Sequence, residues 1–254
     1  MATVEIIPTL KDNYTYAVRA GAEALVVDPG EAGPVREWCR RNGVRITAVV
    51  CTHHHSDHIG GVGELKAEFR CTVWTSAFDF NRIPGADREL SPAEPFHWQG
   101  LNARVIEIPG HTLGHVALYF ADQRWLFCGD TLFTLGCGRL FEGTPEQMHA
   151  SLSKLISLPA ETSVFCGHEY TLRNAPFALH VDGANERLRE RVRAAEELRA
   201  AGTPTVPSTL GEEIATNPFL RWNDPAIRAR FGHGPDASDA EVFKSLRAAK
   251  DRFP

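Results

Sequence analysis

THHHSDHIGG, residues 52–61, places four histidines and an aspartate in six consecutive positions, His53 to His58. In an extended or tightly turned segment alternate side chains project to the same side. His53 and His55 therefore share a side, and His54 points away, to solvent or to a supporting partner. Asp57 and His58 lie further on, where the chain turns toward a helix beginning near Ile59. The segment thus allows two ligand pairs, His53 with His55 and Asp57 with His58.

Other donors stand at the ends of apolar, strand-like runs. ITAVVC (46–51) runs into Thr52 and the histidine cluster. VIEIPG (105–110) ends in His111, WLFCG (125–129) in Asp130, and SVFCG (163–167) in His168. Three of these donors directly follow a glycine, which lets the backbone turn sharply or approach closely. Core packing does not ask for ionisable groups at strand tips. His111 can join His53 and His55 around one ion. His168 can join Asp57 and His58 around a second, and Asp130 has the two oxygens needed to bridge them. Imidazole and carboxylate suit zinc, iron or manganese, and the lack of thiolate argues against a closed structural zinc site. His115, and Asp28 before Pro29-Gly30, fit packing, turn or supporting roles. His97, His149, His180 and His233 fall in no partner pattern.

The rest of the chain bounds this reading. Its 254 residues, 43% hydrophobic and 23% charged, suit a globular protein with one large domain and an appendage. A net charge of -5 disfavours a nucleic-acid partner. No apolar run approaches the ~18 residues of a membrane span, and MATVEIIPTLKDNY (1–14) does not read as a signal peptide. None of the six cysteines pairs as CxxC, and several sit in strand-like runs. They read as buried free thiols in a reducing, cytoplasmic setting.

Residues 1–170 alternate short strands, among them ALVVD (24–28), with turns and a few helices. PVREWCRRNG (34–43) has proline at its start and glycine past its end, a helix signature. Thr144-Pro145 opens another helix, with Thr144 and Gln147 at capping-box spacing. From residue 171 to 254 the pattern is helical. ANERLRERVRAAEELRAAG (184–202) carries Leu188, Val192, Ala195 and Leu198 on one stripe. TPTVPSTL (203–210) reads as a connector, and SDAEVFKSLRAAKDRF (238–253) as a helix capped by Ser238 with Glu241.

THHHSDH matches the HxHxDH signature of the metallo-β-lactamase superfamily, and within it the chain resembles the hydroxyacylglutathione hydrolases, the glyoxalase II family. The resemblance runs through DNYTY (12–16), VVDPG (26–30), PGHTLGH (109–115), GDTLFTLGCGRLFEGT (129–144), CGHEYT (166–171), VPSTLGEEIATNPFLR (206–221) and LRAAKDRF (246–253). It implies an α+β fold, an αββα sandwich followed by a small helical domain. It implies His53, His55 and His111 on one divalent ion, Asp57, His58 and His168 on the other, and Asp130 bridging. It implies hydrolysis of S-D-lactoylglutathione and related S-2-hydroxyacylglutathiones to D-lactate and glutathione by a metal-bridged hydroxide. Asp57 would orient the attack, and zinc is the first expectation. The glutathione moiety would meet Arg139, Tyr170, Arg247 and Lys250; the last two, three apart on a helix, would share a face.

Two positions depart from the better-known members. Arg139 stands where they carry lysine, and Phe141 where a tyrosine contacts substrate. Phe141 forgoes a hydrogen bond worth roughly 0.5–1.5 kcal/mol. Weaker glutathione binding is expected, not another reaction. Two readings compete: a mononuclear-iron glutathione persulfide dioxygenase of the same superfamily, and a non-catalytic metal- or glutathione-binding protein. A monomer is expected, with no nucleic-acid or membrane partner.

Overall fold

The β-branched runs of the first half form strands, as residues that fit a pleated, half-buried surface should. In the computed structural model, which describes residues 2–254, the chain makes two compact units. One is Met1–Glu107 with Gly114–Gly129; the other is Ile108–Leu113 with Asp130–Pro254.

The first unit contains β1 (Thr3–Thr9), β2 (Asn13–Ala20), β3 (Glu23–Val27), α1 (Ala32–Asn42), β4 (Arg45–Val50), α2 (Ser56–Ile59) and α3 (Val62–Phe69). β5 (Thr72–Ser76), β6 (Arg88–Leu90), β7 (Phe96–Trp98), β8 (Leu101–Glu107), β9 (Val116–Phe120) and β10 (Trp125–Gly129) follow. β1 to β6 lie side by side in chain order. β1, β2 and β3 pair antiparallel, whereas β3, β4, β5 and β6 pair parallel. β7 to β10 form an antiparallel meander.

Alternation sorts the first sheet's side chains. Ala24 and Val26 join Val35, Trp38, Val62 and Leu65 in a core beneath α1 and α3. The opposite face meets the meander: Tyr16 lies edge-on to Phe127 at 5.5 Å and Trp74 to Phe96 at 5.3 Å. The Trp98 indole donates to Thr47 Oγ1 at 3.0 Å, so this aromatic is buried with its polar handle satisfied. Gly43 ends α1 in the left-handed conformation, as the sequence predicts. The helix starts at Ala32, before Pro34, which sits in its first turn.

The second unit contains β11 (Leu132–Phe133), β12 (Gly136–Cys137), α4 (Pro145–Ile156), β13 (Ser163–Cys166), α5 (Thr171–Asp182), α6 (Glu186–Ala200), β14 (Ser208–Thr209) and α7 (Leu210–Thr216). A 3-10 turn (Pro218–Leu220), α8 (Pro225–Arg230) and α9 (Asp239–Arg252) complete it. The capping boxes of Thr144 with Gln147 and Ser238 with Glu241 are both formed. Leu188, Val192 and Ala195 are buried, whereas Leu198 is 40% exposed, so the stripe of α6 ends one turn early. The connector 203–210 ends in β14, which pairs with β13.

All six cysteines are free and buried. Burial pushes the Cys39 thiol up to about 11 and Cys166 to about 12, which keeps them protonated and unreactive. Among the described residues no helix is long and apolar enough to cross a membrane.

Candidate metal centre

β3 and β4 run parallel, so Asp28 and Thr52, just beyond their ends, come together. The Thr52 N–H donates to Asp28 Oδ1 and its hydroxyl to Asp28 Oδ2, both at 2.7 Å. With that hydroxyl proton committed, Thr52 Oγ1 accepts from His53 Nδ1 at 3.1 Å. His58 Nδ1 lies 3.0 Å from Asp28 Oδ2 and donates to it. Asp28 has φ +52°, so it serves both as the turn residue and as the hub of the cluster. The donor atoms of Asp28, His53 and His58 lie within 4.8 Å of one another. The Asp28 oxygens accept from Thr52 and His58, so the carboxylate orients both of these residues.

α2 begins at Ser56, three residues earlier than expected, and carries Asp57 and His58 on its only turn. Asn13 Nδ2 donates to Asp57 Oδ2 at 2.9 Å and to its carbonyl at 3.3 Å. Gly30 lies against this backbone; a Cβ there would sit 2.3 Å from the Asp57 carbonyl. The His53 and His55 rings are 4.8 Å apart, as alternation predicts. His54 diverges to the buried Asp79, whose Oδ1 is 3.2 Å from its Nδ1, while Arg82 donates to its Nε2 at 2.7 Å. His115 stacks on His53 at 4.6 Å and 14°.

In the second unit three donors meet. Asp130 Oδ2 is 3.4 Å from His111 Nε2 and 3.3 Å from His168 Nε2. His111 Nδ1 donates to the carbonyl of Arg139 at 2.8 Å. Gly138 is required by the same crowding, because a Cβ would lie 1.9 Å from the Asp130 carbonyl. His53 and His58 in the first unit, and His111 in the second, therefore each commit Nδ1 to an oxygen and leave Nε2 as the atom available to an ion. Metal-binding histidines are oriented in this manner. The residues fit a divalent ion.

The residues expected to meet glutathione lie in the same unit. Tyr170 stacks on His168 at 4.5 Å and 7° and meets Phe133 edge-on at 5.2 Å. Phe141 is 64% exposed, its ring edge-on to His111. Arg247 and Lys250 part company. Arg247 is 4% exposed, donating to the Cys137 carbonyl at 3.1 Å and to Asp251 at 2.8 Å. The Lys250 ammonium lies 5.4 and 5.6 Å from the Phe177 and Phe253 rings. Burial first, then Arg247, Arg139 and Arg173, holds the Lys250 ammonium below the usual lysine pKa.

Residues 8–168 match the model of the metallo-beta-lactamase superfamily, and residues 169–253 that of the hydroxyacylglutathione hydrolase C-terminus. A hydroxyacylglutathione hydrolase of Methylococcus capsulatus is 54% identical over 97% of both chains. The chain belongs to the hydroxyacylglutathione hydrolase family. A second member, from a Synechococcus species, is 51% identical over 97% of this chain and 98% of its own. Among solved structures, BLEG-1 B3 metallo-beta-lactamase superposes with TM-score 0.67 at 25% identity, covering 86% of this chain and 99% of its own. TTHA1623 in a di-iron-bound form gives 0.60 at 28%, covering 82% and 95%. The fold is the α+β metallo-β-lactamase sandwich with a helical C-terminal region, and this family of enzymes binds divalent metal.

Sequence reasoning missed several residues that support the hydrolase site. Asn13 lay inside DNYTY, read as family-like but given no role. Thr52 was passed over as the start of the cluster. The hairpin β11–β12, between Asp130 and Arg139, is gripped by distant side chains. Asn217 Nδ2 donates to the carbonyls of Phe133 (3.1 Å) and Gly136 (2.9 Å), and Asn174 to that of Thr134 (3.0 Å). The buried Glu213 accepts from Leu135 N at 3.1 Å. Asn217 lies within TNPFLR, and only its place in that motif singles it out.

Proposed function

We propose that this protein hydrolyses S-D-lactoylglutathione and related S-2-hydroxyacylglutathiones to D-lactate, or the corresponding 2-hydroxy acid, and glutathione. The observation that carries this is identity of about half, end to end, with hydroxyacylglutathione hydrolases, through the C-terminal region as well as the metal-ligand region. That length of likeness favours the hydrolase over the persulfide dioxygenase.

His53, His55 and His111 would hold one divalent ion, Asp57, His58 and His168 a second, and Asp130 would serve both. The donor types support this, and the di-iron form of TTHA1623 supports a count of two. Zinc suits the set, as do iron and manganese. When bound, the ions lower the pKa of water toward ~7 and polarise the thioester carbonyl. Asp57, steadied by Asn13, takes the proton that the attacking water gives up. Asp28 and Thr52 keep His58 and His53 in the tautomer that leaves Nε2 as the donor atom an ion would take. The leaving thiolate needs no strong acid, since its conjugate acid has a pKa of ~8.5 by analogy with cysteine. Arg139, Tyr170, Phe141 and Lys250 line the glutathione site, with Arg247 behind them.

Residues 1–170 are the catalytic domain and residues 171–254 the substrate-binding domain, a division supported by the family boundaries. Six buried free cysteines support a cytoplasmic setting, which suits methylglyoxal detoxification by a monomer. The test is turnover of S-D-lactoylglutathione by metal-replete protein, beside a thioester lacking glutathione and a chelated control. Fast, glutathione-dependent, chelator-sensitive hydrolysis is expected. No turnover with metal retained would overturn the assignment.

A further inference from the structure

Leu135, in the turn of the β11–β12 hairpin, has φ +59°. A bulky residue holds that left-handed conformation only where its surroundings over-determine it, and such strain gathers at functional sites. The surroundings here do so. The Leu135 side chain is buried with Ala175 and Ala178 of α5 and Leu188 and Val192 of α6. On either side of it the carbonyls of Phe133, Thr134 and Gly136 accept from Asn217 or Asn174. Its own N–H donates to Glu213.

Glu213 is the group on which these restraints converge. It is fully buried on α7. Oε2 accepts from Leu135 N at 3.1 Å and from Asn217 Nδ2 at 3.2 Å. Oε1 accepts from Ser208 Oγ of β14 at 2.7 Å and from the Arg191 guanidinium of α6. Arg191 also donates to Thr216 Oγ1 at 2.6 Å. Two oxygens thus serve four donors, the full capacity of a carboxylate. A buried ion pair adds little net stability, because desolvation offsets most of its attraction. What this one supplies is geometry, since the four donors fit the two oxygens in one arrangement.

The ends of the hairpin carry the chemistry. Asp130 stands two residues before β11, and Arg139 two residues after β12. Gly138 N donates to the Thr131 carbonyl at 3.1 Å and ties these ends together. The Arg139 carbonyl accepts from His111 Nδ1. A shift at Leu135 therefore moves both Asp130 and the support of His111.

We propose that Glu213 is a positioning residue for the hydrolase site. Through Leu135 it sets the hairpin, and through the hairpin it sets the Asp130 carboxylate and the carbonyl that orients His111. Arg191 acts through Glu213. This rests on the reading of Asp130 and His111 as metal ligands.

The test compares wild type with Glu213→Ala, Glu213→Gln, Arg191→Lys and Leu155→Ala. Zinc affinity is measured in competition with a chromophoric chelator, beside kinetics on S-D-lactoylglutathione. Glu213→Ala should weaken zinc binding about tenfold and lower kcat. Glu213→Gln keeps one acceptor for Leu135 and should show a smaller loss. Arg191→Lys keeps the ion pair and should stay near wild type. Leu155→Ala is the stability control: it opens a cavity in the buried face of α4 and should keep wild-type zinc affinity. If Glu213→Ala does not fold, Glu213→Gln decides. Unchanged zinc affinity in Glu213→Gln, or an equal fall in Leu155→Ala, would overturn the proposal. If wild type binds zinc without hydrolysing the thioester, the reaction assignment falls, while weaker zinc binding by Glu213→Gln still supports the residue's role. If wild type binds no zinc, both fall.

Discussion

The two regions that carry the candidate metal donors fix them by different means. In the first unit His53, His55, Asp57 and His58 come from one short segment, and side chains hold them: Asp28, Thr52 and Asn13. In the second, His111, Asp130 and His168 come from three strand ends. There the Arg139 carbonyl holds His111, and the hairpin that follows Asp130 is gripped from afar. A side-chain support can be deleted by one substitution. A carbonyl support cannot, and it moves only when the loop that carries it moves.

This contrast predicts a graded series. Asp28→Ala removes the acceptor of Thr52 and His58 together. Metal affinity should drop 10- to 100-fold, read by metal content after dialysis against a graded chelator; full retention would break the comparison. Asn217→Ala should cost about 1–3 kcal/mol, because it strands two buried carbonyls. Chemical denaturation measures that loss. If the hairpin matters to the site, KM should change as well.

Arg139→Ala sharpens the contrast further. The carbonyl that accepts from His111 remains, so metal content should hold. KM for S-D-lactoylglutathione should rise roughly tenfold, the worth of a hydrogen bond between charged groups. Metal loss in this variant would show that the side chain, not the carbonyl, secures His111.

A smaller effect concerns pH. Lys250 has a lowered pKa, caused first by burial and then by its arginine neighbours. The folded protein releases this proton more readily than the unfolded chain. Stability should therefore gain as pH rises between the lowered pKa and the ordinary lysine value. Glutathione affinity should fall over the same alkaline range as the cation is lost. Lys250→Arg should flatten that affinity limb in a calorimetric pH series. Smallest of all, Phe141→Tyr should tighten glutathione binding by roughly 0.5–1.5 kcal/mol, read as a lower KM.

Much of this was legible in the chain because it is local. Alternation separated His54 from His53 and His55. Capping boxes marked the starts of α4 and α9, and Gly43 the end of α1. The position of α2 was missed by three residues because a one-turn helix has no apolar period to read. α5 was missed as a separate element; it carries Pro176 in its interior, which argues against a helix unless packing overrides it.

The sequence by itself determined which residue types are available for chemistry, that they stand at strand ends, and the family to which the chain belongs. Periodicity, capping and motif spacing are short-range properties, and each can be read without knowing what lies across a sheet. The tertiary structure alone decided what each donor leans on. It gave Asp28 to Thr52 and His58, Asn13 to Asp57, and Asn217 to a hairpin some 80 residues earlier. It also turned Arg247 inward. Those choices depend on which atoms become buried together, where an unmade hydrogen bond is costly, and no local pattern encodes that pairing.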